Sequence, residues 1–128
     1  MEPSLTLGND TSTRKAGCLF CRIIQKEIPS NIVYEDADTL AFEDISKQAP
    51  IHLLIIPKTH LARLADLQAG DEHMMARLFT VVQKLAKEKN LLNSGFRAVI
   101  NSGEGAGQTV FHLHVHLLGG RTFHWPPG

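Results

Sequence analysis

The chain has 128 residues, with 13 Lys and Arg against 13 Asp and Glu, so its formal net charge is zero with histidine neutral. That length suits one domain with one core. The charge balance excludes the basic excess that broad nucleic-acid or membrane-surface binding requires, so a phosphate ligand has to be held by a local site.

Residues 1–16 are polar and rich in Ser, Thr and Asn, and read as a loosely ordered tail without the charged-then-apolar pattern of a secretory leader. Residues 17–128 are read as the domain. The longest uninterrupted apolar stretch, Leu53 to Pro57, is far too short to span a bilayer. Two cysteines three positions apart do not make a secreted disulfide framework, and the expectation is an intracellular, cytoplasmic protein.

CLFCRIIQKE predicts a short helix ended by Pro29-Ser30-Asn31. IVYED and TLAFED are two β-type runs separated by Ala37-Asp38, which predicts a hairpin. HLLIIP is a more apolar strand stopped by Pro57. Over residues 71–89, Met74, Met75, Leu78, Val81, Val82 and Leu85 recur at helical spacing. Asp71 and Glu72 suit the first turn of that helix, and Lys87 and Lys89 the last. A turn at Gly95 precedes the strand candidate FRAVIN. The loop SGEGAG then leads into VFHLHVHLLGG and the tail RTFHWPPG. The expected class is α+β, an antiparallel five-stranded sheet with one short and one long helix on one side of it. Its edge strands invite pairing with a second copy.

His112, His114 and His116 alternate with Leu113, Val115 and Leu117. On a strand this puts three imidazoles on one face and the apolar residues in the core. One buried histidine is usually structural; three on one face need partners or a solvated cleft. Alternating histidines can hold a metal. They can equally supply a nucleophile with neighbours that manage protons. The preceding segment favours phosphate chemistry: Asn101, Gly107, Gln108 and Thr109 lie in a stretch of exposed backbone N–H groups and short polar side chains. A plain flexible loop is the alternative for that stretch taken alone.

FHLHVHLL closely resembles the histidine triad signature, and the similarity runs over roughly residues 17–128 through FCRIIQKEIPS, LAFEDIS, HLLIIPKTH and INSGEGAGQTVFHLHVHLLGGR. The ending GGRTFHWPPG is similar to the branch called histidine triad nucleotide-binding proteins. This resemblance implies a hydrolase of purine nucleoside 5′-phosphoramidates, of the adenosine 5′-monophosphoramidase type. It implies His114 as the nucleophile, with a backbone carbonyl fixing its tautomer. His116 would contact the phosphate and donate a proton, and His112 would take a supporting or metal-ligating position. Asp44 would bind the ribose hydroxyls with Ile45 beside it. Asn101, Gly107, Gln108 and Thr109 would hold the phosphate; many relatives carry serine at the Thr109 position. Ile23, Phe42 and His52 are candidates for the base pocket, with core packing the alternative for the two apolar ones. A homodimer is also implied, with FRAVIN and the long helix near the two-fold axis and each tail reaching toward the other subunit's site.

Cys18-Leu-Phe-Cys21 has the spacing of half a zinc knuckle or of a redox pair, although the βαβ pattern of a redox fold is missing; two small buried residues are the plain alternative. The resemblance implies one structural zinc held by Cys18, Cys21, His60 and His112, and no organic cofactor. A dinucleoside polyphosphate hydrolase and a nucleotide-binding scaffold protein are the competing functions.

Overall fold

The computed structural model describes residues 17–128; the expected tail over residues 1–16 lies outside them. Helix α1 (Leu19–Ile24) is followed by β1 (Ile32–Glu35), β2 (Thr39–Glu43) and β3 (Ile51–Pro57). Helix α2 (Glu72–Glu88), β4 (Phe96–Val99) and β5 (Val115–Gly119) complete the order, with short 3-10 turns at Leu64–Asp66 and Glu104–Ala106. The five strands form one antiparallel sheet in the order β1-β2-β3-β5-β4. The α+β expectation, with one long and one short helix, is met.

The helices do not share one side of the sheet. Leu53, Ile55 and Ala41 face α2 and pack with Leu78, Val81, Val82 and Leu85. Their strand neighbours Leu40, Phe42, Leu54 and Ile56 point the other way and pack with Phe20, Ile23 and Ile24 of α1. A strand covered on both faces loses the alternation of a half-exposed one, which is why HLLIIP reads as a continuous apolar run.

Both helices stop by the same device. After α1, Lys26 adopts φ 64°, while the N–H groups of Lys26 and Glu27 bond the carbonyls of Ile23 and Arg22. After α2, Asn90 adopts φ 61°, while the N–H groups of Asn90 and Leu91 bond Lys87 and Ala86. This paired closure satisfies carbonyls that the last turn leaves open. Leu91 then enters the core beside α2. Helix α1 is therefore shorter than CLFCRIIQKE, ending at Ile24 rather than Glu27.

The hairpin is tied to α2 through Asp36. Its Oδ1 accepts the N–H groups of Asp38 and Thr39, and its Oδ2 accepts Tyr34 Oη and Arg77 Nη2. Edge strand β1 carries a bulge between Ile32 and Tyr34 and charged groups, Glu35 with Lys26 and Lys58, that discourage edge pairing. Edge strand β4 presents an exposed Phe96.

The histidine run is less of a strand than its alternation predicts. β5 begins at Val115, and His112 to His114 approach it outside the ladder. The Leu113 N–H is taken by the carbonyl of Leu61, on the loop after β3. Leu113, Val115 and Leu117 nevertheless enter the α2-side core as expected.

Leu78 sits wholly buried where α2 meets the sheet. Leu78→Ala should destabilise the protein by about 2–5 kcal/mol in urea unfolding, because a cavity is left in a two-sided core. Lys84→Gln, on the solvent face of the same helix, should stay within about 0.5 kcal/mol.

Candidate functional site

Between α1, the segment after it and the end of β2 lies a cleft of about 510 Å³. Leu19, Phe20, Ile23 and Phe42 form its apolar wall, Asp44 and Ile45 its rim, and Thr109, His114 and His116 its polar end. Ile45 is fully exposed at that rim. The Phe20 ring stands edge-on to His114, with centroids 5.2 Å apart.

The hydrogen bonds of the histidines determine which nitrogen carries each proton. His114 Nδ1 is 2.7 Å from the carbonyl oxygen of His112. A carbonyl only accepts, so Nδ1 bears the hydrogen and Nε2 of neutral His114 keeps a free lone pair. The Gln48 N–H donates to His52 Nδ1 at 3.0 Å, which puts the His52 proton on Nε2. That proton faces His116 Nδ1 at 2.9 Å and Asp44 Oδ2 at 3.3 Å. His116 Nδ1 therefore accepts, and its own hydrogen resides on Nε2. A chain of fixed tautomers runs from a backbone amide through two imidazoles to the polar end of the cleft.

Asp44, His52 and His116 also lie close enough together to suggest a metal site. The tautomers argue against one: a ligating His52 Nε2 would have to give up its proton, and Nδ1 could not take it while facing the Gln48 N–H.

Burial sets the charge states. It pushes His116 down to about 4, with His114 and His52 adding to the effect and Asp44 opposing it. Burial also lowers His114, against its bond to the His112 carbonyl and the attraction of Asp44. His52 is lowered by burial and partly restored by Asp44. All three are thus neutral at pH 7 in the free protein.

Behind the cleft, Cys18, Cys21, His60 and His112 converge. Cys18 Sγ and Cys21 Sγ are 3.4 and 3.6 Å from His112 Nδ1, and Cys21 Sγ is 3.4 Å from His60 Nδ1. The two imidazole nitrogens are 3.2 Å apart. A regular tetrahedron with metal–nitrogen and metal–sulfur bonds of about 2.1 and 2.3 Å has edges of about 3.4–3.8 Å, within about 0.2 Å of these separations. The donor set and its spacing fit such an ion. His112 is wholly buried, and its Nε2 donates to the Pro57 carbonyl at 2.8 Å, leaving Nδ1 aimed at the cysteines as a ligand must be.

Four of the residues assigned to the nucleotide from the sequence, His52, Gln108, Gly107 and Asn101, are not on the cleft wall. His52 is not part of the cleft wall; it is buried beneath His116 and bonded to it. Gln108 is occupied with loop structure: its N–H bonds Gly103, its amide hydrogens bond the carbonyls of Ala62 and Val110, and its Oε1 accepts the Gly103 N–H. It has no donor left for phosphate. The Gly107 N–H is likewise taken by Glu104, with Gly107 at φ 95° closing the turn. Thr109 does line the cleft, as do Ile23 and Phe42, which belong to the apolar core as well; Asn101, half-buried, is not on its wall. The cleft also uses Leu19, Phe20 and Ser30, which the sequence reading passed over. Ser30 brings a buried hydroxyl that has no hydrogen-bond partner among the described residues. Its place in the turn after α1 is the one signal that could have marked it.

At the chain's end, Arg97 Nη2 holds the His124 carbonyl and both Arg97 and Arg121 lie over the Phe123 ring, while Trp125 stays 82% exposed. The tail is therefore pinned along β4 without folding Trp125 onto its own core. Among the described residues, no helix is long and apolar enough to cross a membrane.

Residues 25–123 match the HIT domain. An uncharacterised HIT-like protein of Synechococcus elongatus is 48% identical over 110 residues, which are 86% of this chain and 96% of that one. A HIT family hydrolase from Legionella pneumophila superposes with a TM-score of 0.86 at 50% identity, covering 88% of this chain and all of that one. A histidine triad nucleotide-binding protein from Candida albicans gives a TM-score of 0.74 at 36% identity, over 86% of this chain and 83% of its own. The chain belongs to the HIT domain family.

Proposed function

We propose that this protein is a hydrolase of purine nucleoside 5′-phosphoramidates of the adenosine 5′-monophosphoramidase type, its HIT domain covering residues 17–128. The observation that carries the reading is the bond from His114 Nδ1 to the His112 carbonyl, which leaves an unprotonated Nε2 at a cleft of nucleotide size. The Legionella neighbour is described as a hydrolase and the Candida neighbour as nucleotide-binding, in keeping with this chemistry.

The nucleoside occupies the apolar end, its base against Ile23 and Phe42 and its ribose hydroxyls on Asp44 beside Ile45. Thr109, on the cleft wall beside the histidines, holds a phosphoryl oxygen. The His114 Nε2 lone pair forms a bond to phosphorus while the phosphorus–amine bond breaks, and its electron pair leaves on nitrogen with a proton from His116 Nε2. His52 orients the His116 ring through the bond at Nδ1, and His116 recovers its proton from the water of the second step. Water then attacks phosphorus and gives a proton to His116, the phosphorus–Nε2 bond returns its pair to His114, and the monophosphate leaves. Splitting one displacement into two is the general advantage of covalent catalysis. Negative charge on the bound phosphoryl group opposes the burial that keeps His116 neutral in the free protein, so the imidazolium forms when substrate is present.

We further take the Cys18, Cys21, His60 and His112 centre to hold one structural zinc, which requires both thiols reduced and suits a cytoplasmic protein. The exposed Phe96 edge, and a tail pinned along β4 with Trp125 exposed, support a homodimer in which each tail reaches the other subunit's site.

His114→Ala should abolish phosphoramidate hydrolysis while leaving adenosine monophosphate affinity within about tenfold, since it removes chemistry more than contact area. Turnover near the parent rate would refute the nucleophile, and faster hydrolysis of dinucleoside polyphosphates than of phosphoramidates would replace the substrate class.

The acid limb of log kcat/KM against pH tests the charge states. His114 acts as the neutral form, and burial lowers its pKa, so neutral imidazole persists below the ordinary value of about 6.5. Activity should hold at pH 7 and fall only at lower pH, with an apparent pKa under about 6.5. A limb centred at or above that value contradicts it.

Metal analysis of reduced protein should find about one zinc per chain, and chelation should lower the melting temperature. Far less than one zinc, unchanged after zinc is supplied, rejects the centre.

A further inference from the structure

His112 stands at the junction of two sites. Its Nδ1 faces the cysteines, its Nε2 is anchored on the Pro57 carbonyl, and its own carbonyl holds the His114 ring. Turning the His112 backbone would release the ligand geometry and the nucleophile's tautomer together. The second connection runs through α1. Cys18 caps that helix by accepting the Cys21 N–H on sulfur, and Cys21 lies within its first turns, so the ligand set holds the helix that carries Phe20. Phe20 touches both histidines, its ring centroid 6.0 Å from that of His112 and 5.2 Å from that of His114. A third connection is a shared wall. Beside the ligands lies a separate hollow of about 460 Å³, lined by Cys18 and His60 among others. Leu19, Thr109 and Val110 line both this hollow and the nucleotide cleft.

We propose that Cys18, Cys21, His60 and His112 act as positioning residues for the nucleophile, so that a divalent metal and a purine nucleotide bind this chain with positive coupling. The proposal rests on the nucleotide reading above. Metal binding fixes the His112 carbonyl and α1, which are two of the groups that the nucleotide cleft needs in place. A ligand entering a cleft that is already ordered gives up less conformational freedom. Linkage makes the effect mutual: whatever factor the metal adds to nucleotide affinity, the nucleotide adds to metal affinity.

The test uses the full chain and adenosine monophosphate as the probe. Calorimetry should give a Kd at least about fivefold weaker for chelator-treated protein than for zinc-loaded protein, at a temperature where circular dichroism shows both folded; such couplings generally run from about 5- to 150-fold. Nitrogen NMR of the imidazoles should show His114 locked with its hydrogen on Nδ1 when zinc is bound, and exchanging between tautomers when it is removed. A Kd unchanged within about twofold, with the same His114 pattern in both states, overturns the coupling while leaving the nucleotide reading intact. If chelation unfolds the chain, cobalt-substituted protein decides: saturating nucleotide should shift its ligand-field absorption, and an unchanged spectrum overturns the proposal. Failure of the zinc-loaded protein to bind nucleotide at all overturns the nucleotide reading itself, and the coupling with it.

Discussion

The hydrogen bond from His114 Nδ1 to the carbonyl of His112 is the constraint on which the site depends. An imidazole has two nitrogens and, when neutral, one hydrogen; where that hydrogen sits decides which nitrogen can attack. A side-chain partner could rotate and lose the assignment. A backbone carbonyl, held at one end by the buried His112 ring and at the other by the start of β5, cannot readily do so. The cleft around it contributes shape, and burial keeps the ring neutral.

The rest of the fold keeps that carbonyl in place. Helix α2 and the Leu53, Ile55, Val115 and Leu117 face form one core, and the opposite sheet face receives α1 and the histidines. β5 is an interior strand, paired with β3 on one side and β4 on the other, and its side chains alternate between the two faces. His116 lies opposite Leu54, and His52 lies opposite Leu118. The two histidines are therefore diagonal neighbours on one face of adjacent strands, close enough for a direct bond. Sheet register thus sets the separation of the two rings.

Much of this was legible in the sequence. The period of Met74 through Leu85 marked α2, the two short β-type runs marked the hairpin, and the alternation after Phe111 separated core residues from site residues. His114, Asp44 and the four candidate metal ligands follow from the pattern and its resemblance, and the structure brings each group together. What escaped depends on contacts distant in sequence. His52 and His116 are 64 positions apart, and only the β3–β5 register turns a candidate base contact into a hydrogen-bond partner of His116. Gln108 sits in a glycine-rich loop that looks made for phosphate, yet its amide closes on Gly103, Ala62 and Val110. A polar side chain's type shows what it can bond, not which partner reaches it first. The helices' placement on opposite faces was hidden for a similar reason, since apolar run length alone does not say what covers a strand.

The measurement that bears most directly on the account is the site of the covalent intermediate. Rapid acid-free quench of the protein during turnover of an adenosine phosphoramidate, followed by peptide mapping and phosphorus NMR, locates the nucleotidyl group. One group per active chain is expected, on His114 and bonded through Nε2, because Nδ1 is committed to the His112 carbonyl. A nucleotidyl group on His112, His116 or His52, or on His114 through Nδ1, would contradict it.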